Sequence, residues 1–118
     1  MHELGVTQDV LKTVLRHAEE NGAKRVTTIH LKIGELRDIV DQWMQRFFDY
    51  LSKGTIAEGA KLAIERPPIR FQCGCGKEFG VLATELMADQ EILCPDCHEG
   101  SCTLVSGREF SIESIEVI

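Results

Sequence analysis

The stretch AKRVTTIHLKIGE (residues 23–35) alternates, with Ile29, Leu31 and Ile33 on one face and Thr28, His30 and Lys32 on the other. A period of two sends successive side chains to opposite sides of an extended chain, so the stretch predicts a strand with one buried face and one wet face. His30 sits on the wet face, which makes it a solvated residue and not a ligand. A strand of this kind needs a sheet beside it and an apolar layer over it.

The flanking segments supply both. Upstream, Val10, Leu11, Val14, Leu15 and Ala18 recur at helical spacing from Thr7 to about Asn21, leaving Lys12, Arg16, Glu19 and Glu20 to solvent. Thr7 is the expected N-cap and Asn21-Gly22 the expected stop. His17 lies off the apolar stripe and reads as solvated. Downstream, residues from about Asp41 to Lys53 return to helical period, with Val40, Trp43, Met44, Phe47, Phe48 and Leu51 forming one broad stripe expected to pack on the sheet. AKLAIE (residues 60–65) alternates again, Leu62 and Ile64 pointing inward. RPPIRF (residues 66–71) then breaks the pattern, because two prolines remove two ladder donors and hold the chain extended. REFSIESIEVI (residues 108–118) is strand-like: Phe110 and Ile112 share a face, Ile115 and Val117 follow after a change of parity, and a bulge near Glu113-Ser114 would join the halves.

The expected fold class is α+β: a small mixed sheet packed by two helices, with an inserted zinc-ribbon-like module. Residues 1–66, completed by a C-terminal strand at 108–118, form the α/β domain, and residues 67–107 the cysteine-rich module.

Composition narrows the function. The 118 residues are 43% hydrophobic and 27% charged with a net charge of −6. Without a Lys/Arg run, such a chain is a poor general binder of phosphate backbones, which must be neutralised by surplus cations. The start has no basic segment followed by an apolar one, and no apolar run approaches the roughly 20 residues that span a bilayer. A cytoplasmic protein without membrane or nucleic-acid partners is expected. In a reducing compartment its five cysteines point to metal ligation before disulfides.

The cysteines fall in FQCGCGKEF (residues 71–79) and ILCPDCHEGSC (residues 92–102). Cys94 and Cys97 have the C-x-x-C spacing that wraps two thiolates around one tetrahedral ion. Cys73 and Cys75 are one residue closer, in a turn that Gly74 and Gly76 relieve. A structural zinc site of Cys73, Cys75, Cys94 and Cys97 is the leading reading, since four thiolates leave no open position for catalytic water. Replacement of one ligand by His98 or Cys102, a redox dithiol and an iron–sulfur site are the alternatives. Cys102 otherwise reads as a small buried hydrophobe. The module holds few large apolar side chains, so metal should supply much of its folding free energy.

The first three residues, MHE, raise a second metal question. Methionine is retained before a residue as large as His2, which leaves the Met1 α-amine free. That amine, the His2 amide nitrogen and the His2 imidazole can close two chelate rings on one ion, and nitrogens in a plane suit Ni(II) or Cu(II). The Glu3 amide or side chain, or Glu35, Asp38 or Asp41 in GELRDIVD (residues 34–41), can supply the fourth corner.

MHE, GAKRVTTIHLKIGEL (residues 22–36), EGAKLAIE (residues 58–65), the cysteine pairs and SGREFSIESIEV (residues 106–117) together resemble the HypA/HybF family, nickel metallochaperones of hydrogenase maturation, over essentially the whole chain. The resemblance implies transported Ni(II) at the N-terminus, bound through His2 with the aid of Glu3; with the Met1 amine of the chelate argument, the expected nickel residues are Met1, His2 and Glu3 in the 1–66 domain. It implies structural Zn(II) held by two C-x-x-C motifs: Cys94 and Cys97 match the second, and Cys73 and Cys75 match the first after deletion of one residue. It also implies a HypB-type nickel GTPase as partner and the large subunit of a [NiFe]-hydrogenase as destination. Such a protein is a carrier and not an enzyme. Where family members place a His after each cysteine pair, this chain has His98 after Cys97 but Gly76 after Cys75. The rival classes are a zinc-ribbon interaction or nucleic-acid-binding module without nickel transport, and a thiol-redox protein using Cys94 and Cys97. Monomer and homodimer both stay open.

Overall fold

In the structure, a computed structural model that describes residues 3–87 and 91–118, the alternating stretch becomes the middle strand of a three-stranded sheet. The elements run α1 (Glu3–Glu20), β1 (Val26–Ile33), α2 (Asp41–Leu51), β2 (Lys61–Glu65), β3 (Arg70–Cys73), β4 (Glu78–Gly80), α3 (Ala83–Met87), β5 (Cys102–Ser106) and β6 (Phe110–Val117). They divide into two units. The first takes the chain up to Lys32 with Asp38–Glu65 and Ser111–Ile118; the second takes Ile33–Arg37 with Arg66–Phe110.

From Thr28 onward β1, the first unit's middle strand, buries Ile29, Leu31 and Ile33 and leaves Thr28, His30 and Lys32 half-buried, as its period of two requires; Val26, at the start of the strand, is buried out of that phase. β2 lies parallel along one edge, in register from Thr28 opposite Lys61 to Lys32 opposite Glu65. Parallel neighbours need a crossover, and α2 travels in it. β6 lies along the other edge and runs antiparallel: Lys24 N–H donates to the Ile118 carbonyl at one end, and Lys32 Nζ stands 3.3 Å from Glu113 Oε1 toward the other. The sheet, in the order β2–β1–β6, is therefore mixed. His30 faces outward, its Nε2 2.8 Å from Glu116 Oε2. α1 packs on α2, and Val10, Val14, Ala18, Met44 and Phe48 are all buried.

Two local expectations change and a third stands. α1 begins at Glu3, so Thr7 is not its cap; Thr7 lies one turn in, fully buried, with its hydroxyl donating to the Glu3 carbonyl. The broad stripe on α2 also splits. Met44 and Phe48 are sealed, while Trp43 is 50% exposed and Val40 is exposed as well. A helix of this kind buries only a limited arc, and six apolar positions overfill it. Trp43 instead stacks on Phe47, centroids 6.2 Å apart, with the Arg46 guanidinium over its ring at 5.3 Å. Third, β6 is one continuous strand whose alternation does change parity, Glu113 and Ser114 both being exposed between half-buried Ile112 and Ile115. The stop of α1 is the expected one: Gly22 N–H donates to the Glu19 carbonyl and Ala23 N–H to that of Ala18, the paired bonds of a Schellman motif.

The second unit is a β4–β3–β5 sheet, antiparallel throughout. Phe71 opposes and stacks on Phe79, and Arg70 Nε donates to Glu78 Oε1 at 2.7 Å. The short segment Ile33–Arg37 is bound into this unit by backbone bonds: Gly34 N–H to the Glu109 carbonyl, Glu35 N–H to that of Pro67, and Leu36 N–H to that of Gly107. Among the described residues no helix is long and apolar enough to cross a membrane.

Candidate metal centre

Two turns of different length bring the cysteines together. β3 ends on Cys73, whose N–H donates to the Lys77 carbonyl while Gly76 N–H returns to the Cys73 carbonyl. The second turn repeats this closure with one more residue: Cys94 N–H donates to the Glu99 carbonyl and His98 N–H to that of Cys94. Each turn finishes on a left-handed residue, Gly76 at φ +97° in the first and His98 at φ +61° in the second. The missing residue of the C-x-C pair is thus absorbed without changing how the turn closes. His98 fills a conformational role that Gly76 meets with less strain.

The result is a cluster of four thiols, Cys73, Cys75, Cys94 and Cys97, whose sulfurs all lie within 4.8 Å of one another. Cys73 Sγ is 3.4 Å from Cys97 Sγ, and Cys75 Sγ is 3.7 Å from Cys94 Sγ. Sulfurs on one tetrahedral zinc, at bonds near 2.3 Å, stand about 3.8 Å apart. The spacing fits that ion. Cys73 and Cys94 are buried, whereas Cys75 and Cys97 reach solvent. Among the described residues this is the one group of three or more such side chains that converges, and neither His98 nor Cys102 belongs to it.

The electrostatics of the bare cluster favour a cation. The Cys75 N–H, followed by the Cys97 thiol, lowers the Cys73 thiol to about 7. Cys97 is drawn down by the Glu99 N–H, but its bond to Cys73, burial and the other two thiols outweigh that and push it up to about 12. The net shift of Cys75 is also upward: the Lys77 N–H lowers it, and Cys73 and Cys94 more than offset this. One thiolate forms readily and then makes its neighbours hard to ionise. A divalent cation at the centre relieves that conflict by attracting all four thiolates at once and cancelling half of their charge.

Met1 and His2 lie outside the described residues, so of the N-terminal triad only Glu3 has a described position. Its Oε1 accepts the Val40 N–H at 3.2 Å. Val40 is the N-cap position of α2 and brings no side-chain oxygen of its own; Glu3 supplies the acceptor from another helix. This role was not legible in the sequence, where the one available signal was an apolar residue at a cap position. Asp41 directly follows Val40 as the first residue of α2, and Asp38 is exposed in the same unit. Glu35 is an exposed residue of the second unit, anchored by its N–H to Pro67.

Comparison with known proteins agrees over the whole length. A family model described as hydrogenase/urease nickel incorporation, metallochaperone, HypA matches residues 1–117. A hydrogenase maturation factor HypA from Dehalococcoides mccartyi is 39% identical, the alignment covering 99% of this chain and 94% of that protein. Its counterpart from Archaeoglobus fulgidus is 40% identical, over 99% and 98%. Two solved structures share the fold. The solution structure of the Ni metallochaperone HypA from Helicobacter pylori superposes with a TM-score of 0.63 at 22% identity, covering all of this chain and 98% of that one. A second solution structure of a HypA protein gives 0.71 at 21% identity, covering 100% and 97%. The α+β fold is common to these structures and this one, and the relatives are maturation factors, not catalysts. The chain belongs to the HypA family of hydrogenase/urease nickel-incorporation metallochaperones.

Proposed function

We propose that this chain carries Ni(II) on its N-terminus through the Met1 amine, the His2 amide and imidazole, and the Glu3 amide. It would pass the ion, with a HypB-type GTPase, to the large subunit of a [NiFe]-hydrogenase in the cytoplasm. Zn(II) on Cys73, Cys75, Cys94 and Cys97 holds the second unit in shape. The observation that carries the reading is the nickel-incorporation family match, which begins at residue 1.

Three features support it physically. The first N–H groups of an α-helix have no carbonyl partner within the helix, so with α1 starting at Glu3 the amide nitrogens at its head are not used in the helix ladder. The Glu3 carboxylate is engaged at Val40, which favours a ligand role for its backbone and a clamping role for its side chain. The positive end of the α1 dipole also opposes a cation there. That weakens retention, which suits an ion that must be surrendered.

Calorimetric titration of protein with an unextended start tests this. His2→Ala is expected to lower nickel affinity by at least about 100-fold, a loss typical of disrupting a metal's ligand sphere, while zinc content stays the same. A residue added ahead of Met1 is expected to act in the same direction, because it turns the amine into an amide. Undiminished affinity in either variant would overturn the N-terminal site.

A further inference from the structure

Cys102 is the fifth cysteine and lies outside the converging four. It is not isolated from them. In the antiparallel β3–β5 ladder Cys102 stands directly opposite Cys73. Directly opposed residues place their side chains on the same face of the sheet, with Cα atoms about 4.5 or 5.5 Å apart. Disulfides close over Cα separations of roughly 4.4–6.8 Å. Cys102 is half-buried, and its thiol rests against the Glu99 carbonyl at 3.8 Å, the same carbonyl that accepts the Cys94 N–H. A thiol that is not one of the four ligands therefore stands across the ladder from a ligand cysteine, in a pairing whose backbone separation a disulfide can close.

The geometry points to Cys73 and Cys102 as a site of reversible oxidation by hydroperoxides, with Cys102 as the resolving thiol that takes Cys73 away from the zinc. The Cys73 thiolate attacks one oxygen of hydrogen peroxide; the O–O bond breaks, Cys73 becomes a sulfenic acid and hydroxide leaves. Cys102 then loses its proton and attacks the Cys73 sulfur; the S–S bond forms, the S–O bond breaks, and the departing hydroxide takes up that proton as water. One thiolate and one thiol are together oxidised by two electrons; the peroxide ends as one water and one hydroxide, and solvent protonates that hydroxide. Zinc is left with three thiolates and an open position, and its hold on the second unit loosens. The proposal rests on the four-thiolate zinc reading.

The test uses the zinc-loaded full chain and one equivalent of hydrogen peroxide. A chromogenic chelator reports zinc, and differential alkylation with peptide mass mapping reports the linkage. The expected result is zinc release together with a Cys73–Cys102 bond, both reversed by dithiothreitol. In Cys102→Ala the sulfenic acid has beside it only thiols engaged as zinc ligands, so its trapping at Cys73 by dimedone should rise at least about tenfold, because an oriented free thiol outcompetes a reagent in solution. Cys102→Ser serves as a second variant, and equal zinc content before oxidation shows that both have folded. Parent protein that links Cys73 to Cys97 or Cys75 to Cys94, or that gives as much dimedone adduct as the variants, overturns the pairing alone. Protein that holds no zinc at the outset overturns the zinc reading and this proposal together.

Discussion

Stripped of zinc by a chelator, the second unit is expected to unfold while the β2–β1–β6 sheet survives. The asymmetry follows from what each part buries. The first unit contains Val10, Val14, Ala18, Val26, Ile29, Leu31, Met44, Phe48 and Leu62 in its interior. In the second, among the described residues, the buried side chains are Ile33, Ile69, Val81 and the two inner cysteines, Cys73 and Cys94. Its strands are only four, three and five residues long. Ordering a residue costs about 1–2 kcal/mol in backbone entropy alone, and so small a core cannot offset that over Arg66–Phe110. Structural zinc contributes about 10 kcal/mol or more to the folding of modules of this kind. Native-state hydrogen exchange reads the outcome segment by segment. Amides of β3 and β5 should lose protection on chelation, and those of Ile29 and Leu31 should keep it. Cys94→Ala should reproduce the effect without chelator, because Cys94 is fully buried and its loss leaves three thiolates around an opened ion. Retained protection in β3 after complete zinc removal would show that the unit stands on side-chain packing.

The elements that the sequence disclosed are those set by short-range periodicity. β1 is legible because its alternation is local and strict, and the Asn21-Gly22 stop because the turn chemistry lies within a few residues of it. The four cysteines are legible because chelate spacing is likewise local. The failures share another cause. Thr7 reads as a cap from its neighbours, yet its place inside α1 depends on the helix starting at Glu3, which is tied through its carboxylate to Val40, 37 residues away. Trp43 and Phe48 are both large and aromatic, so hydrophobicity cannot separate them; which is covered depends on where α1 lies across α2. The C-x-C turn is an intermediate case. Its short spacing raises a geometric doubt that is answered by the backbone closure it shares with the C-x-x-C turn. The opposition of Cys73 and Cys102 was hidden altogether, because it depends on the register between two strands far apart in sequence.

Gly34→Ala is expected to destabilise the protein by more than about 4 kcal/mol, a size reserved for changes with a specific structural cause. A Cβ built at Gly34 would fall 2.1 Å from both the carbonyl carbon and oxygen of Gly107, and 2.7 Å from Arg108 N. These are backbone atoms, so no rotamer change relieves the overlap. Gly107 cannot retreat alone either. Its N–H is held by Glu109 Oε1 at 2.6 Å, its carbonyl accepts the Leu36 N–H at 2.8 Å, and Ile69 Cα lies 3.2 Å from the place its own Cβ would occupy. Separating the two segments enough to admit a methyl group breaks the Leu36–Gly107 and Gly34–Glu109 bonds and uncovers Ile69, which is 1% exposed. Gly5 provides the internal control. It lies in α1 with nothing within 4 Å of its built Cβ, so Gly5→Ala should stabilise by up to about 1 kcal/mol through helix propensity. Denaturant midpoints of the two variants should therefore move in opposite directions from the parent. A Gly34→Ala protein as stable as the parent would mean that the Gly34–Gly107 contact is looser than its backbone geometry, and that KIGE keeps its glycine for some reason other than space.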